Sequence, residues 1–216
     1  ALGEAGLQLG VGAAADLVAA AQGGHVLAQL AHQGLAVGDA AVGQVEFVAH
    51  LGQARRGALG FGMKVIYHNR SRLSADLEAE CKATYVGKDE LLRTADHVVL
   101  VVPYSAASHH TIGAVELALM KPTATLINIA RGGIVDDAAL AVALREGRIA
   151  AAGLDVFEGE PSVHPDLLTV PNVVLTPHIA SGTVETRKAM SALALANLAA
   201  HFAGEPVKTP VPECRT

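Results

Sequence analysis

The stretch TLINIARGGIVDDAALAVALREGRIAAAGLDVF occupies residues 125–157 and alternates between two kinds of pattern. TLINIA (125–130) and IAAAGLDVF (149–157) are short apolar runs that suit buried strands. Between them, DDAALAVALREG (136–147) has a helical pattern, and its Gly147 suits a helix C-cap. A strand, a helix and a second strand in this order predict two parallel strands joined by a crossover helix.

Similar runs lie on both sides of this unit. MKVIY (63–67), HVVLVV (97–102) and NVVLTP (172–177) are strand candidates, residues 74–82 are helix-like, and a long helical stretch covers residues 184–202. Apolar runs separated by helices predict an α/β fold with a parallel sheet covered on both faces. In such a sheet, ligands bind beyond the carboxyl ends of the strands. The residues that directly follow each run are therefore the informative ones.

The bulk properties exclude several classes of protein. The 216 residues carry a formal net charge of −5, so there is no basic surface for nucleic acid. Cys81 and Cys214 are far apart, which suggests neither a disulfide scaffold nor a zinc site, and we expect no metal. No apolar run reaches the roughly 18 residues that span a bilayer. Because the first lysine is Lys64, there is no basic start of a secretory signal, and we expect a cytoplasmic protein.

Residues 1–60 differ from the rest of the chain. They contain no Ser, Thr, Pro, Lys, Ile, Asn, Tyr, Met or Cys. Apart from Phe47, each of them can be encoded by a codon that starts with G or C. Translation of a GC-rich gene in the wrong frame or strand would give this bias, so we expect residues 1–58 to be a leader that is not the native partner of the remaining chain. The alternative is a genuine Ala/Gly-rich segment.

Four polar residues lie at the ends of the predicted strands. Arg131 follows the run at 125–130, Asp155 lies near the end of the run at 149–157 and Glu160 follows it, and His178 follows the run at 172–177. Each has an ordinary explanation as a surface ion-pair residue, a loop carboxylate or a capping histidine. Their shared position at strand ends, where α/β sheets bind ligands, favours a functional site instead.

Four motifs occur in order: VVPYSAASHHTIG, MKPTATLINIARGGIVDDAAL, GLDVFEGEP and LTPHIAS. Together they resemble the D-isomer-specific 2-hydroxyacid dehydrogenase family, over about residues 59–211. That family includes glyoxylate, hydroxypyruvate and 2-ketogluconate reductases. The resemblance implies a Rossmann-like doubly wound parallel sheet, a nicotinamide cofactor, a small 2-keto or 2-hydroxy acid as substrate, and a homodimer at full length.

The resemblance also implies roles for individual residues. Arg131 matches the arginine that holds the substrate carboxylate, and His178 matches the acid that protonates the keto oxygen. Glu160 matches the carboxylate paired with that histidine, where an anion stabilises the imidazolium. Asp155 matches the residue that binds the nicotinamide carboxamide. Further cofactor contacts are implied at Pro103, Ile129, Ala130, Ala180 and Ser181.

The loop after MKVIY addresses the choice of cofactor. In NAD-binding folds an acidic residue here accepts hydrogen bonds from the ribose 2′-OH. This chain has Asn69, Arg70, Ser71 and Arg72 instead, with no carboxylate. Two arginines and a serine suit a 2′-phosphate, so we expect NADP, with NAD as the alternative and a basic loop of no significance as the third reading.

The family's glycine loop is missing from its expected place before MKVIY. Gly60-Phe61-Gly62 lies too close to that strand, and the half-match at residues 10–15 lies about 50 residues away, against the roughly 20 expected. We therefore expect a sheet that is incomplete at its N-terminal side. The predicted domains are the leader, a nucleotide-binding domain at 59–181 without its first strand and glycine loop, and a C-terminal helix and tail at 182–216.

Two other functions remain open. The family includes corepressors that use the dinucleotide as a conformational ligand, so a non-catalytic dinucleotide-binding protein is one alternative. An inactive truncated product is another. Formate dehydrogenases of the family are disfavoured because they have Gln where this chain has Glu160.

Overall fold

All five strands predicted from apolar runs are present, and a sixth, short strand joins them. The computed structural model describes residues 58–59 and 62–211, so the predicted leader lies outside the described residues except for residue 58. Each of the five observed strands is shorter than the apolar run from which it was predicted. The strands are β1 (Val65–Tyr67), β2 (Ala83–Tyr85), β3 (His97–Leu100), β4 (Thr125–Asn128), β5 (Ala151–Leu154) and β6 (Val173–Leu175).

Helices connect successive strands, and a long helix follows the last strand. A single 3-10 turn, Pro165–Leu168, lies between β5 and β6. The helices are α1 (Ala75–Cys81), α2 (Lys88–Thr94), α3 (Ala114–Leu119), α4 (Asp137–Arg145) and α5 (Val184–Phe202). No helix among the described residues is both long and apolar enough to cross a membrane.

Helix α4 shows how local sequence sets the boundaries of an element. At its N-terminus, Asp136 caps the helix, because its Oδ1 accepts a hydrogen bond from the backbone of Ala139 at 2.9 Å. At its C-terminus, Gly147 has φ +67°, and the backbone N–H of Arg148 reaches back to the carbonyl of Ala143 at 2.8 Å. This is the left-handed termination that glycine favours. The predicted glycine stop is therefore present one residue beyond the cap.

All strand pairs are parallel, but they form two sheets. β1 pairs with β2, and the other four strands pair in the order β3-β4-β5-β6. The usual order of a doubly wound dinucleotide-binding sheet is 3-2-1-4-5-6. The pairs β2-β1 and β3-β4-β5 match that order without its first strand, which would lie between β1 and β3 and is not among the described residues, and β6 adds one strand beside β5. The prediction of an α/β fold with a parallel sheet is confirmed, and its incompleteness at the N-terminal side stays a prediction.

The larger sheet contains most of the described core. Every residue of β4 and β5 is buried, as expected of central strands covered on both faces. The aliphatic side chains of these strands pack against buried residues of α2, α3 and α4, such as Leu92, Leu117 and Leu140. The smaller sheet has its own cluster, in which only Tyr67, Cys81 and Ala83 are buried. The core therefore supports the carboxyl edge of β4, β5 and β6 most firmly.

Candidate active site at the carboxyl edge of the sheet

Asp155, directly after β5, organises the turn that follows β6. Its side chain is buried, with 1% exposed. Oδ1 accepts hydrogen bonds from the Thr176 hydroxyl at 2.6 Å and from the Ile179 backbone at 2.9 Å, and Oδ2 accepts one from the Ala180 backbone at 2.9 Å. A buried carboxylate needs such donors to offset its desolvation. The three bonds fix the turn on which His178 lies.

His178 and Glu160 form a hydrogen-bonded pair. His178 has φ +52°, a left-handed conformation that non-glycine residues seldom adopt, and its Nδ1 lies 2.7 Å from Glu160 Oε2. The other oxygen of Glu160 accepts a hydrogen bond from the Phe157 backbone at 2.9 Å. With Nδ1 bonded to Glu160, the second ring nitrogen, Nε2, makes no hydrogen bond with a described residue. It is thus available to exchange a proton with a ligand.

The charge state of Glu160 suits this pairing. Burial raises the pKa of its carboxyl, but the hydrogen bonds from His178 and from the Phe157 backbone outweigh burial, and the pKa lies below its usual range. Glu160 is therefore ionised at neutral pH. A carboxylate on Nδ1 both orients the imidazole ring and stabilises its protonated form.

Arg131 lies on a turn shaped by a residue that sequence reasoning missed. The buried side chain of Asn128, the last residue of β4, accepts a hydrogen bond from the Ala130 backbone and donates one to the carbonyl of Arg131, both at 3.1 Å. Arg131 itself is exposed, and its Nη1 donates to the Ala130 carbonyl at 2.7 Å. The sequence did contain a signal for this role, because Asn128 is a polar residue at the end of a mainly apolar strand.

Close backbone packing brings the Arg131 turn against the loop that carries Glu160. A Cβ atom at Gly132 would overlap with the carbonyl of Phe157. Only glycine allows the two backbones to approach this closely. The structure therefore brings the loops of Arg131, Asp155, Glu160 and His178 together at one edge, as expected.

The predicted cofactor residues next to these loops are placed as follows. Ile129 is partly buried and Ala130 is buried, beside Arg131. The backbone of Ala180 bonds to Asp155, and Ser181 follows it, partly buried. Pro103 is exposed after β3, where its carbonyl accepts a hydrogen bond from the Ser108 hydroxyl at 2.9 Å.

The loop after β1 stands apart from these residues, with no described hydrogen bond or ion pair joining it to them. Asn69 is partly buried, and its Oδ1 accepts a hydrogen bond from the Arg70 backbone at 2.9 Å. Arg70 and Ser71 are exposed. Arg72 is already engaged, because its Nε and Nη2 donate to both oxygens of Glu78 at 2.8 and 2.9 Å. Among the loop's two arginines, only Arg70 has a side chain without a hydrogen bond to a described residue.

The Arg72–Glu78 pair should make stability depend on pH. Hydrogen bonds from Arg72 and Tyr67 lower the pKa of Glu78 from 4.5 to about 2. Because the folded state binds its proton less readily than the unfolded state, the stabilisation is present above the ordinary value and is lost as pH falls towards about 2. We expect Glu78→Gln to unfold at a lower urea concentration than wild type at neutral pH, with the difference shrinking as pH falls through this window.

Arg72→Gln is the reciprocal variant, since it removes the donor and keeps Glu78. It should show the same shrinking difference from wild type. A difference between wild type and Glu78→Gln that stays constant from neutral pH to about pH 2 would contradict the assignment.

Comparison with known proteins agrees with this architecture. The family model described as "D-isomer specific 2-hydroxyacid dehydrogenase, NAD binding domain" matches residues 18–180. The match begins inside the segment expected to be a leader, and the boundary at residue 58 stays a prediction. The chain is 50% identical over 165 residues to a glyoxylate reductase of Thermococcus onnurineus (strain NA1), covering 76% of the chain and 49% of the relative. The chain thus spans about half the length of the curated relatives it matches.

Two of the solved structures that are similar to this chain represent the fold. One is a glyoxylate reductase from Paecilomyes thermophila, with a TM-score of 0.66, 45% identity, and coverage of 74% of this chain and 48% of that one. The other is an NADPH-dependent glyoxylate/hydroxypyruvate reductase from Sinorhizobium meliloti in complex with NADP and malonate, with a TM-score of 0.67, 40% identity, and coverage of 74% and 49%. The predicted Rossmann-like fold is confirmed. Since the family model matches more than half of the residues of this chain, the chain belongs to the D-isomer specific 2-hydroxyacid dehydrogenase family, and the match is to the NAD-binding domain of that family.

Proposed function

We propose that this chain carries the cofactor-binding and proton-transfer residues of a reductase that converts small 2-keto acids, such as glyoxylate or hydroxypyruvate, into 2-hydroxy acids. The observation that carries the proposal is the 2.7 Å contact between His178 Nδ1 and Glu160 Oε2 at the carboxyl edge of the sheet. An imidazole oriented by an ionised carboxylate, with its other nitrogen available, is the arrangement that general acid catalysis requires. Membership of the family supports the same assignment.

Each residue of the edge has a distinct task in this proposal. The nicotinamide dinucleotide supplies the hydride when it is bound. His178 delivers the proton from Nε2 to the keto oxygen, while Glu160 holds the imidazolium through Nδ1. Arg131, whose guanidinium is exposed on its turn, binds the carboxylate of the substrate, because a planar guanidinium forms two parallel hydrogen bonds with a carboxylate.

The residues present fit a dinucleotide at two places. Asp155 accepts three hydrogen bonds from the protein. Since a carboxylate has about four acceptor positions, one remains for the nicotinamide carboxamide. At the other end, Arg70 and Ser71 offer a cation and a hydroxyl without a competing carboxylate in the loop, which suits a 2′-phosphate. We therefore assign NADPH as the preferred cofactor, as in the Sinorhizobium meliloti relative.

The direct test is a reduction assay with glyoxylate and hydroxypyruvate, following the oxidation of NADPH or NADH. We expect turnover with both substrates and a higher kcat/KM with NADPH. Dinucleotide binding without reduction of any 2-keto acid would favour the non-catalytic alternative and overturn the proposed activity. The homodimer and the cytoplasmic location expected from the sequence stay predictions.

The preference for NADPH should depend on Arg70. A charge-assisted hydrogen bond contributes about 1.5–3 kcal/mol, which corresponds to roughly ten- to hundredfold in affinity. We expect Arg70→Ala to weaken NADPH by that factor and to leave NADH unchanged, as measured by fluorescence titration at low salt. Asn69→Asp should reverse the preference, because the new carboxylate repels the phosphate yet can still accept the hydrogen bond from the Arg70 backbone.

Arg93→Ala is the matched control, since Arg93 is an exposed arginine in the last turn of α2. It removes the same charge from the chain without touching the loop after β1, and it should leave both affinities unchanged. Equal affinity of wild type for NADH and NADPH at low salt would show that the NADPH assignment is wrong.

A further inference from the structure

A cluster of metal-binding side chains lies beside the active-site edge and takes no part in the proposed reaction. His109 and His110 follow β3, and their rings stack with centroids 3.9 Å apart and an interplanar angle of 21°. Glu158, in the loop after β5, places Oε2 2.8 Å from His110 Nε2. One ligand atom from each of the three residues lies within 4.8 Å of the others. Two imidazoles and a carboxylate are a ligand set used by divalent transition metals.

Hydrogen bonds hold the backbone of all three residues in place. The N–H of His109 donates to the Ser105 carbonyl at 3.0 Å, and that of His110 donates to the Gly133 carbonyl at 2.8 Å. The N–H of Glu158 donates to Oδ2 of the buried Asp137 at 3.0 Å. The ligands therefore come from two loops whose positions do not depend on an ion. A site that is preformed in this way loses less conformational freedom on binding.

Groups around the cluster resemble the outer shell of a metal site. Asp136 Oδ2 lies 4.0 Å from His110 Nδ1, the nitrogen that faces away from Glu158. Asp136 is held as the N-cap of α4 by the backbone of Ala139. A carboxylate that accepts a hydrogen bond from a metal-binding histidine raises its basicity and orients the ring, and Asp136 would form this bond after an approach of about 1 Å. On the other ring, the Tyr104 hydroxyl lies 3.3 Å from His109 Nδ1.

The charges around the cluster favour a cation. Glu158 and Asp136 each pair with His110 and, within the described part of the chain, with no lysine or arginine. Two carboxylates and two imidazoles with no lysine or arginine partner carry a net negative charge when the histidines are neutral. Neutral imidazole is the form that binds metals.

We propose that His109, His110 and Glu158 bind one divalent transition-metal ion, with Zn²⁺ as the best match to this ligand set. Zinc bonds of about 2.0–2.2 Å place tetrahedral ligand atoms roughly 3.4 Å apart. The side chains of His109 and Glu158 are exposed, so both can rotate towards this separation, from 2.8 Å between His110 Nε2 and Glu158 Oε2 and from at most 4.8 Å for the other pairs. The fourth position is left for water, and the ion would join the loop after β3 to the loop that carries Glu160.

Calorimetric titration of the tag-free chain with Zn²⁺ tests the site, with the visible absorption of Co²⁺ as a second readout. We expect one ion to bind to wild type and Glu158→Gln to lose most of that affinity. Asp136→Asn should weaken Zn²⁺ by about ten- to hundredfold, the usual effect of an outer-shell change. Because asparagine also caps helices, this variant keeps α4 intact, and its circular dichroism should match wild type.

Two control variants locate the ion. His201→Ala removes an exposed histidine from α5, and His178→Ala removes the histidine paired with Glu160. Both should bind Zn²⁺ as wild type does. Unchanged binding in Glu158→Gln and Asp136→Asn, or no measurable binding to wild type, would overturn the proposal. Neither result would bear on the proposed reductase activity, which the reduction assay measures separately.

Discussion

Replacing His178 with Ala should lower the rate of 2-keto acid reduction by roughly 10²–10⁴-fold, the usual cost of losing a positioned general acid. The loss should appear in kcat, because the imidazole acts on the reacting oxygen. Dinucleotide affinity should stay close to that of wild type, since Asp155 bonds to the backbone of Ile179 and Ala180 and not to the imidazole. Steady-state kinetics and a dinucleotide titration, on any polypeptide that includes this chain and reduces glyoxylate, measure the two effects.

Glu160→Gln provides the paired variant. The glutamine side chain would still accept a hydrogen bond from the Phe157 backbone, so the loop should keep its shape. The glutamine carries no charge, so the imidazolium that transfers the proton would lose its anionic partner. The pH profile of reduction should therefore differ from that of wild type. An unchanged pH profile would remove Glu160 from the proton relay, and wild-type rates in His178→Ala would remove His178.

Gly132→Ala should disrupt both the fold and the site, although it adds only one methyl group. The new Cβ would overlap with the backbone carbonyl of Phe157, which cannot rotate away as a side chain could. Overpacking of this kind costs typically about 1–3 kcal/mol of stability. It should also push apart the loops of Arg131 and Glu160, and a displacement of about 1 Å can cost roughly a hundredfold in rate. Urea unfolding and kcat/KM report the two effects.

Gly87→Ala is the matched control, because a Cβ at Gly87 meets no atom within 4 Å. It alters only the N-cap of α2, where the change from glycine to alanine should cost less than about 1 kcal/mol. If Gly132→Ala retained the stability and kcat/KM of Gly87→Ala, the close approach of the two loops would have no role in the site.

The larger elements could be predicted because their signals are local. Helix α5 covers Val184–Phe202, the range expected from its pattern, because Thr183 caps it and no breaker interrupts it. The mainly apolar runs that contain β4 and β5 likewise stand out in the sequence. Strand β2, with three residues, is too brief to show a periodic pattern and was not predicted. Helices α2 and α3 were not predicted either.

In the candidate site, too, some residues could be predicted from the sequence and others could not. Strand ends pointed to Arg131, Glu160 and His178 because position after a buried strand is visible in one dimension. The contributions of Asn128 and Gly132 depend on which backbone groups lie next to them in space, and no local pattern contains that information. The engagement of Arg72 by Glu78, six residues further along, was missed for the same reason.

Within the described residues, the division into two sheets indicates which part would open first. The unit of β3 to β6 has a continuous buried core, whereas the described core of the β1–β2 unit is limited to Tyr67, Cys81 and Ala83. Segments with few buried contacts open locally at low free energy, well below that of global unfolding. Opening of β1 would carry with it the loop of Asn69 to Arg72 but leave Glu160 and His178 in place. A ligand bound by both units would therefore reduce the local opening of the β1–β2 unit. At its other end it would bind to the unit of β3 to β6, which is already rigid.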